Sequence, residues 1–431
     1  MIRTDGKPYL LPQRLPPACG DLRRERNFIL CLSIISSARL SLLLSFSLFL
    51  SAVTGTSQFR PPALNMDVQT VREHIAKLPR THIGLYPTPF HQLNMLSTTC
   101  GVQLFLKRED LAGPSSVSGS KVRLSEFILG QAVQDGYTHI ITHGAHLTNS
   151  GMQLAVAAKV AGLTPILYLT RDTSHHGNLS EYRGNLLLTK IMDVETHFLN
   201  TDQGGLWMLT EGKKTLDTAM QQRQSELAKQ GHRALIIPAG GAHELGFIAH
   251  ALTYLEIIEN PQGMKVDYIY HTAGTGTALP GLIAAKLLTG HTARIRSIAV
   301  NLYKEGSFMS PSVIVHRVKE IFQRLQLPVP DDASIRAEID VDNGFIGEDY
   351  SVPSQESIVA IQTLARTEGI FVGPVYTGKG FAGLLDHIKS GKIPRGSNVA
   401  FIHTGDTVNL FEVPSVVGQV TEPITQTPSQ N

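Results

Sequence analysis

The sequence predicts an α/β fold of mostly parallel sheets with helices on both faces. Short apolar runs rich in β-branched residues alternate with longer stretches of helical pattern. The runs are near-continuously apolar, as strands covered on both faces are. Composition agrees: 42% hydrophobic residues, 17% charged residues and 38 glycines suit a large α/β chain, not a coiled coil or a disordered polymer.

The elements follow in order. Thr138–Thr142 reads as a strand, and Gly151–Ala161 as a helix closed by Gly162 as its C-cap. Pro165–Leu169 reads as a strand, Asn185–Met192 as a helix and Glu195–Leu199 as a strand. Ala234–Ile237, Tyr268–Tyr270 and Ile298–Leu302 are further strands, with helices over Leu245–Glu259 and Leu279–Leu288. Val313–Leu325, Glu356–Glu368 and Phe381–Lys389 read as helices, and Val399–His403 as the last strand. No internal repeat is evident, and the tail 419–431 has a disordered composition.

Length and charge bound the function. A chain of 431 residues carries a prior of roughly three domains and can bury a core without disulfide or metal staples. With 38 Lys+Arg against 36 Asp+Glu the net charge is +2, which gives no electrostatic pull toward nucleic acid. Three cysteines exclude a disulfide scaffold or a thiolate zinc cluster. His143 and His146 lack a nearby third ligand, and His175-His176 are adjacent, so no metal site is read.

Residues 1–65 read as an extension outside the fold. Phe28 to Val53 is apolar but interrupted by Arg39, and its unbroken part, from Leu40, falls short of the roughly 20 residues of a membrane span. Arg39 in mid-membrane would cost about 2.5–3.5 kcal/mol. A signal-anchor, a targeting segment and a non-native upstream extension with Met66 as the working start are the three readings, the last preferred. A cytoplasmic location is expected. Membrane contact or organelle targeting follows only if the 28–53 segment is retained.

Three strand-to-helix loops carry the chemistry. In Ser118-Gly-Ser-Lys121-Val-Arg123, a lysine stands at a helix start, where the dipole lowers its pKa and favours the neutral amine of Schiff-base chemistry. A solvated surface lysine is the plain alternative. Tyr270-His-Thr-Ala-Gly274-Thr275-Gly276-Thr277 joins a strand to a helix and suits a monophosphate cradle. It lacks the P-loop lysine and the dinucleotide spacing, and a tight turn is its alternative. Thr148, Asn149 and Ser150 open a helix that could hold a carboxylate or phenolate oxygen, or serve only as N-caps.

Together with Leu106-Lys-Arg-Glu-Asp110 and Gly151-Met-Gln153, these loops resemble pyridoxal-phosphate enzymes of the tryptophan-synthase-β fold type. Within that superfamily the chain resembles the D-cysteine desulfhydrase / 1-aminocyclopropane-1-carboxylate deaminase family. Pro238-Ala-Gly-Gly241, Gly347-Glu-Asp-Tyr350-Ser-Val-Pro353, Gly373-Pro-Val-Tyr376-Thr-Gly-Lys379 and Phe401-Ile-His-Thr404-Gly405 each match a block, in order, from about Leu85 to Leu410.

The resemblance implies two open, twisted, mostly parallel sheets and pyridoxal 5′-phosphate as cofactor. It implies a cofactor domain over 66–123 and 238–418, and a smaller domain over 124–237 that closes on the substrate. Lys121 matches the lysine that bonds to the cofactor, Asn149 the contact to its 3′-oxygen, and Gly274, Thr275, Gly276 and Thr277 the phosphate loop. Tyr350 and Tyr376 match two active-site tyrosines, Thr148 a residue near the substrate carboxylate, and Thr404 a partner of the pyridine nitrogen. A homodimer and a small amino-acid substrate are also implied.

The departures bear on substrate. The pattern G-G-N-K-T-R-K becomes Ser118-Gly-Ser120-Lys121-Val-Arg123-Leu124, so its second basic residue is lost. Gly-Gly after His-Thr becomes Gly405-Asp406, which puts a negative charge near the pyridine face. Cyclopropane-ring deaminases resemble P-V-Y-E-G-K where this chain has Thr377. A carboxylate there keeps the ring nitrogen protonated, whereas a neutral group suffices when a thiol leaves. The expectation is β-elimination of the desulfhydrase kind. Ring opening and a catalytically impaired cofactor-binding protein are the alternatives.

Overall fold

A computed structural model of the chain describes residues 64–172, 181–201 and 211–417. The apolar 28–53 segment, His175-His176 and the tail after 419 lie outside these residues. All described residues belong to the compact unit Arg60–Asn431.

Helices α1 (Val68–Ala76) and α2 (Asn94–Cys100) flank strand β1 (Phe90–Gln92), and β2 (Gln103–Arg108) leads toward α3 (Lys121–Gln134). An alternating stretch follows: β3 (His139–Ala145), α4 (Asn149–Val160), β4 (Thr164–Asp172), α5 (Gly184–Ile191), β5 (Glu195–Thr201), α6 (Lys213–Lys229) and β6 (Ala234–Ile237). The chain continues through α7 (Ala249–Glu259), β7 (Tyr268–Ala273), α8 (Ala278–Thr289), β8 (Arg294–Ala299), α9 (Pro311–Arg324), α10 (Asp332–Ala337) and β9 (Val341–Asp342). It closes with α11 (Gln355–Glu368), α12 (Thr377–Lys389) and β10 (Asn398–His403).

Two sheets result, as expected. One has six strands in the order β1-β2-β10-β7-β8-β9, and the other four in the order β5-β4-β3-β6. Among the described residues only the β1–β2 pair is antiparallel. The strands of the four-stranded sheet are contiguous in sequence, while the six-stranded sheet draws on segments before and after them. β10 lies between β2 and β7, so both its edges are paired; successive residues Val399, Ala400, Phe401 and Ile402 are all buried, so both its faces are covered and the strand lacks polar alternation.

The differences from the sequence expectation have local causes. The strand expected at Ile298–Leu302 begins earlier, at Arg294, because its first half alternates with Arg296 and pairs Tyr268 with Arg294. Leu245–Glu259 is not one helix: a short turn at Glu244–Gly246 precedes α7. Helix α6 escaped notice because only Leu216, Met220 and Leu227 are buried along its 17 residues, a stripe too narrow for a strong apolar period. Helices α1, α2 and α10 and strands β1, β2 and β9 were likewise missed, most of them short. Among the described residues no helix is long and apolar enough to cross a membrane.

Candidate active site

Parallel strands deliver the loops at their carboxyl ends to one region, where the next helices begin. β7 runs into Gly274–Thr277 and α8, β3 into the Thr148 turn and α4, and β10 into Thr404–Asp406. With the start of α3 these segments surround one cavity. Lys121, Thr148, Asn149, Gly274, Thr275, Gly276, Thr277, Tyr350, Tyr376 and Thr404 all line it. So do His250, Asn301, Asn409 and Glu412, which no local sequence pattern marked as site residues.

Lys121 is the first residue of α3. Its Nζ donates to Thr277 Oγ1 at 2.9 Å, which joins the lysine loop to the glycine-rich loop. Burial, with the Arg317 guanidinium second, lowers its ammonium from 10.5 to about 8. The lysine loop is braced from two sides. Ser120 N donates to Thr404 O at 3.1 Å. Lys121 N donates to Gln153 Oε1, also at 3.1 Å. A Cβ on Gly119 would come within 2.5 Å of Thr404 O, so a glycine is needed where these segments meet.

Thr148 does cap α4, its Oγ1 accepting from Gly151 N at 3.1 Å, while it also lines the cavity. Asn149 is buried, and its Oδ1 has no hydrogen-bond partner among the described residues. Helix α8 starts at Ala278 without a side-chain cap, which leaves the N–H groups of its first turn without a side-chain acceptor beside a glycine-rich turn.

Tyr350 and Tyr376 meet edge to face, their ring centroids 5.5 Å apart at 76°. Burial first, and the Asp406 carboxyl second, hold the Tyr376 phenol far above the ordinary tyrosine range, so it keeps its proton. Lys379 secures the turn that carries Tyr350. Its buried Nζ donates to the carbonyls of Ile346 (2.6 Å), Asp349 (2.8 Å) and Tyr350 (3.2 Å).

Two expectations change here. Asp406 does not present its charge to the cavity. It sits behind Tyr376, Oδ2 accepting from Tyr376 N at 3.3 Å and Oδ1 from Asn409 Nδ2 at 2.5 Å. Burial pushes this carboxyl up to about 7, so near neutrality half of it is uncharged. Thr377 is fully buried, and its Oγ1 donates to Gly405 O at 2.7 Å rather than facing the cavity.

A family model described as pyridoxal-phosphate dependent enzyme matches residues 82–405. The chain belongs to this family. A protein of Pyrococcus horikoshii named for 1-aminocyclopropane-1-carboxylate deaminase is 32% identical over 337 residues, 78% of this chain and 94% of its own. D-cysteine desulfhydrase of Klebsiella pneumoniae is 27% identical over 342 residues, covering 79% and 97%. A crystal structure of an ACC deaminase homologue superposes with a TM-score of 0.69 at 29% identity, covering 80% of this chain and 97% of that one.

The residues present fit pyridoxal phosphate. A half-buried lysine of lowered pKa lines the cavity, and uncapped amides of α8 suit a dianion. Asn149 is buried at the cavity wall, where its Nδ2 could donate to a ring oxygen. A Cβ on Gly274 would meet the Tyr376 ring at 3.1 Å, so that glycine keeps open the space beside the ring. The protein is therefore an enzyme whose cofactor is pyridoxal 5′-phosphate, of the group that includes the deaminases and desulfhydrases of small amino acids.

Proposed function

We propose that this enzyme is a lyase of the D-cysteine desulfhydrase kind, converting the substrate and water to pyruvate, ammonia and hydrogen sulfide. One observation carries the choice over ring opening. The residue read against the ring nitrogen, Thr404, lines the cavity and is neutral, and Thr377, where the ring-opening pattern has a carboxylate, is buried outside it with its hydroxyl on Gly405 O. Bound pyridoxal phosphate supplies an electron sink, shallower where no carboxylate protonates its ring nitrogen, yet sufficient when a thiol leaves.

In this reading Lys121 would hold the cofactor covalently, the 274–277 loop would hold its phosphate, Asn149 its 3′-oxygen and Thr404 its ring nitrogen. Thr148 and the adjoining amides of α4 bind the substrate carboxylate. Lys121 Nζ takes the Cα proton, because at about 8 it is partly neutral near physiological pH while Tyr376 keeps its own proton. Tyr376 and Tyr350 orient the substrate and limit water beside Cβ. Residues 124–237 form the smaller domain, and 66–123 with 238–418 the cofactor domain.

The test is a panel of D- and L-cysteine, serine, β-chloroalanine and the cyclopropane amino acid, assayed for sulfide and for oxoacid. Sulfide and pyruvate from D-cysteine are expected. Formation of 2-oxobutanoate from the cyclopropane acid instead would overturn the reading, and cofactor uptake without turnover of any substrate would mark an impaired enzyme.

A further inference from the structure

The second basic residue of the lysine block is Leu124 here, and its side chain is buried against Gly241 and Gly246. A cation does reach the glycine-rich loop, but from a distant element. Arg317, in the middle of α9, donates from Nη1 to Thr275 O at 2.8 Å and to Gly276 O at 2.9 Å. Its guanidinium also stacks over the Phe247 ring, 4.8 Å from the centroid. Among the described residues no salt bridge to a carboxylate involves it, and Glu320 acts on it only through space. A largely buried guanidinium without an ion-pair partner spends its charge on what it touches, here two main-chain carbonyls.

A trans peptide fixes the consequence. The C=O of one residue and the N–H of the next point in opposite directions. With the Thr275 and Gly276 carbonyls drawn toward Arg317, the N–H groups of Gly276 and Thr277 turn the other way. Both residues line the cavity. Gly276 permits the bend, with φ at +67°, and a Cβ there would press on Arg317 itself.

We propose that Arg317 is the positioning residue of the cofactor's phosphate subsite, holding two loop carbonyls back so that the following amides face the phosphate. The proposal rests on assigning the 274–277 loop to the phosphate, and the experiment separates the two.

Full-length protein stripped of cofactor is titrated with pyridoxal phosphate and with pyridoxal, which lacks the phosphate, and binding is read by fluorescence. Arg317→Met is expected to weaken the phosphate ester about tenfold and pyridoxal less than about twofold, the size of a lost charge-assisted contact. Arg317→Lys restores part of the difference, and carries the test if Arg317→Met does not fold. Equal loss for both ligands, or no loss for either, overturns the proposal. Thr275→Val is the control. If it narrows the preference for the phosphate ester while the Arg317 variants do not, the loop stands and the Arg317 role falls. If no variant changes the preference, the loop assignment itself is wrong.

Discussion

The two ends of the cavity are made of different material. The glycine-rich end is mostly main chain: the Gly274–Thr277 turn, the uncapped start of α8 and the Lys121 Nζ bound to Thr277. The tyrosine end is side chain, assembled from separate segments around Tyr350, Tyr376, Lys379, Thr404 and Asp406. Backbone amides bind any phosphate ester, so the first end speaks to the cofactor. Side chains discriminate among substrates, and it is there that Thr377 and Asp406 depart from the family pattern. In the proposed reading one end holds the cofactor and the other selects the substrate.

The largest effect on turnover is expected at Lys121, where the ends meet. Lys121→Ala removes the covalent attachment and the proposed base together, so sulfide release falls by about a thousandfold or more. Loss of the bound cofactor's absorbance shift accompanies it. A variant retaining both colour and turnover would remove Lys121 from the chemistry.

Tyr376→Phe sharpens the division between the ends. The variant keeps the ring beside Gly274 and loses only the hydroxyl, so cofactor affinity is unchanged while kcat falls by about ten- to a hundredfold. If cofactor affinity drops as far as kcat, the tyrosine end is not separate. Lys379→Met tests the support behind Tyr350. Three carbonyls lose their donor, and a kcat loss of about fivefold with unchanged cofactor affinity is expected, together with faster amide exchange over 346–350. Unchanged exchange with unchanged kcat would reduce Lys379 to a packing residue.

How much was legible beforehand follows the same division. The mostly parallel sheets and the three helix-start loops are legible because each signal is local: an apolar run, a Gly/Thr turn, a lysine before a helix. Tyr350, Tyr376 and Thr404 carry no such signal and come only from the family resemblance. Arg317 lies in an ordinary amphipathic helix, and its partners are about 40 residues away in sequence, so no window of sequence joins them. The Asp406 charge was placed at the ring face from its neighbour Thr404. A left-handed backbone there (φ 78°) turns the carboxylate behind Tyr376 instead, and a linear reading does not contain that angle.

Asp406 gives the smallest expected effect on turnover and a distinct one on stability. Its folded carboxyl titrates near 7, raised by burial, against 3.8 when exposed in the unfolded chain. Between those values the folded state holds the proton more tightly. Stability from this group is therefore greatest at low pH, declines as pH rises from about 4 toward 7, and levels off above. Asp406→Asn carries no such titration and resembles the protonated acid in shape. Denaturant midpoints of wild type and variant should lie closest at about pH 4 or below, and the variant should gain relative to wild type as pH rises toward 7 and level off above. Because Asp406 touches Tyr376 only through its backbone N–H, kcat at pH 6 should change by less than about twofold. Midpoints that stay parallel across this range would mean that the carboxyl is already ionised at pH 5. The tyrosine end would then rest on a buried negative charge, and the neutral character read for it from Thr377 and Thr404 would not extend to the residue behind Tyr376.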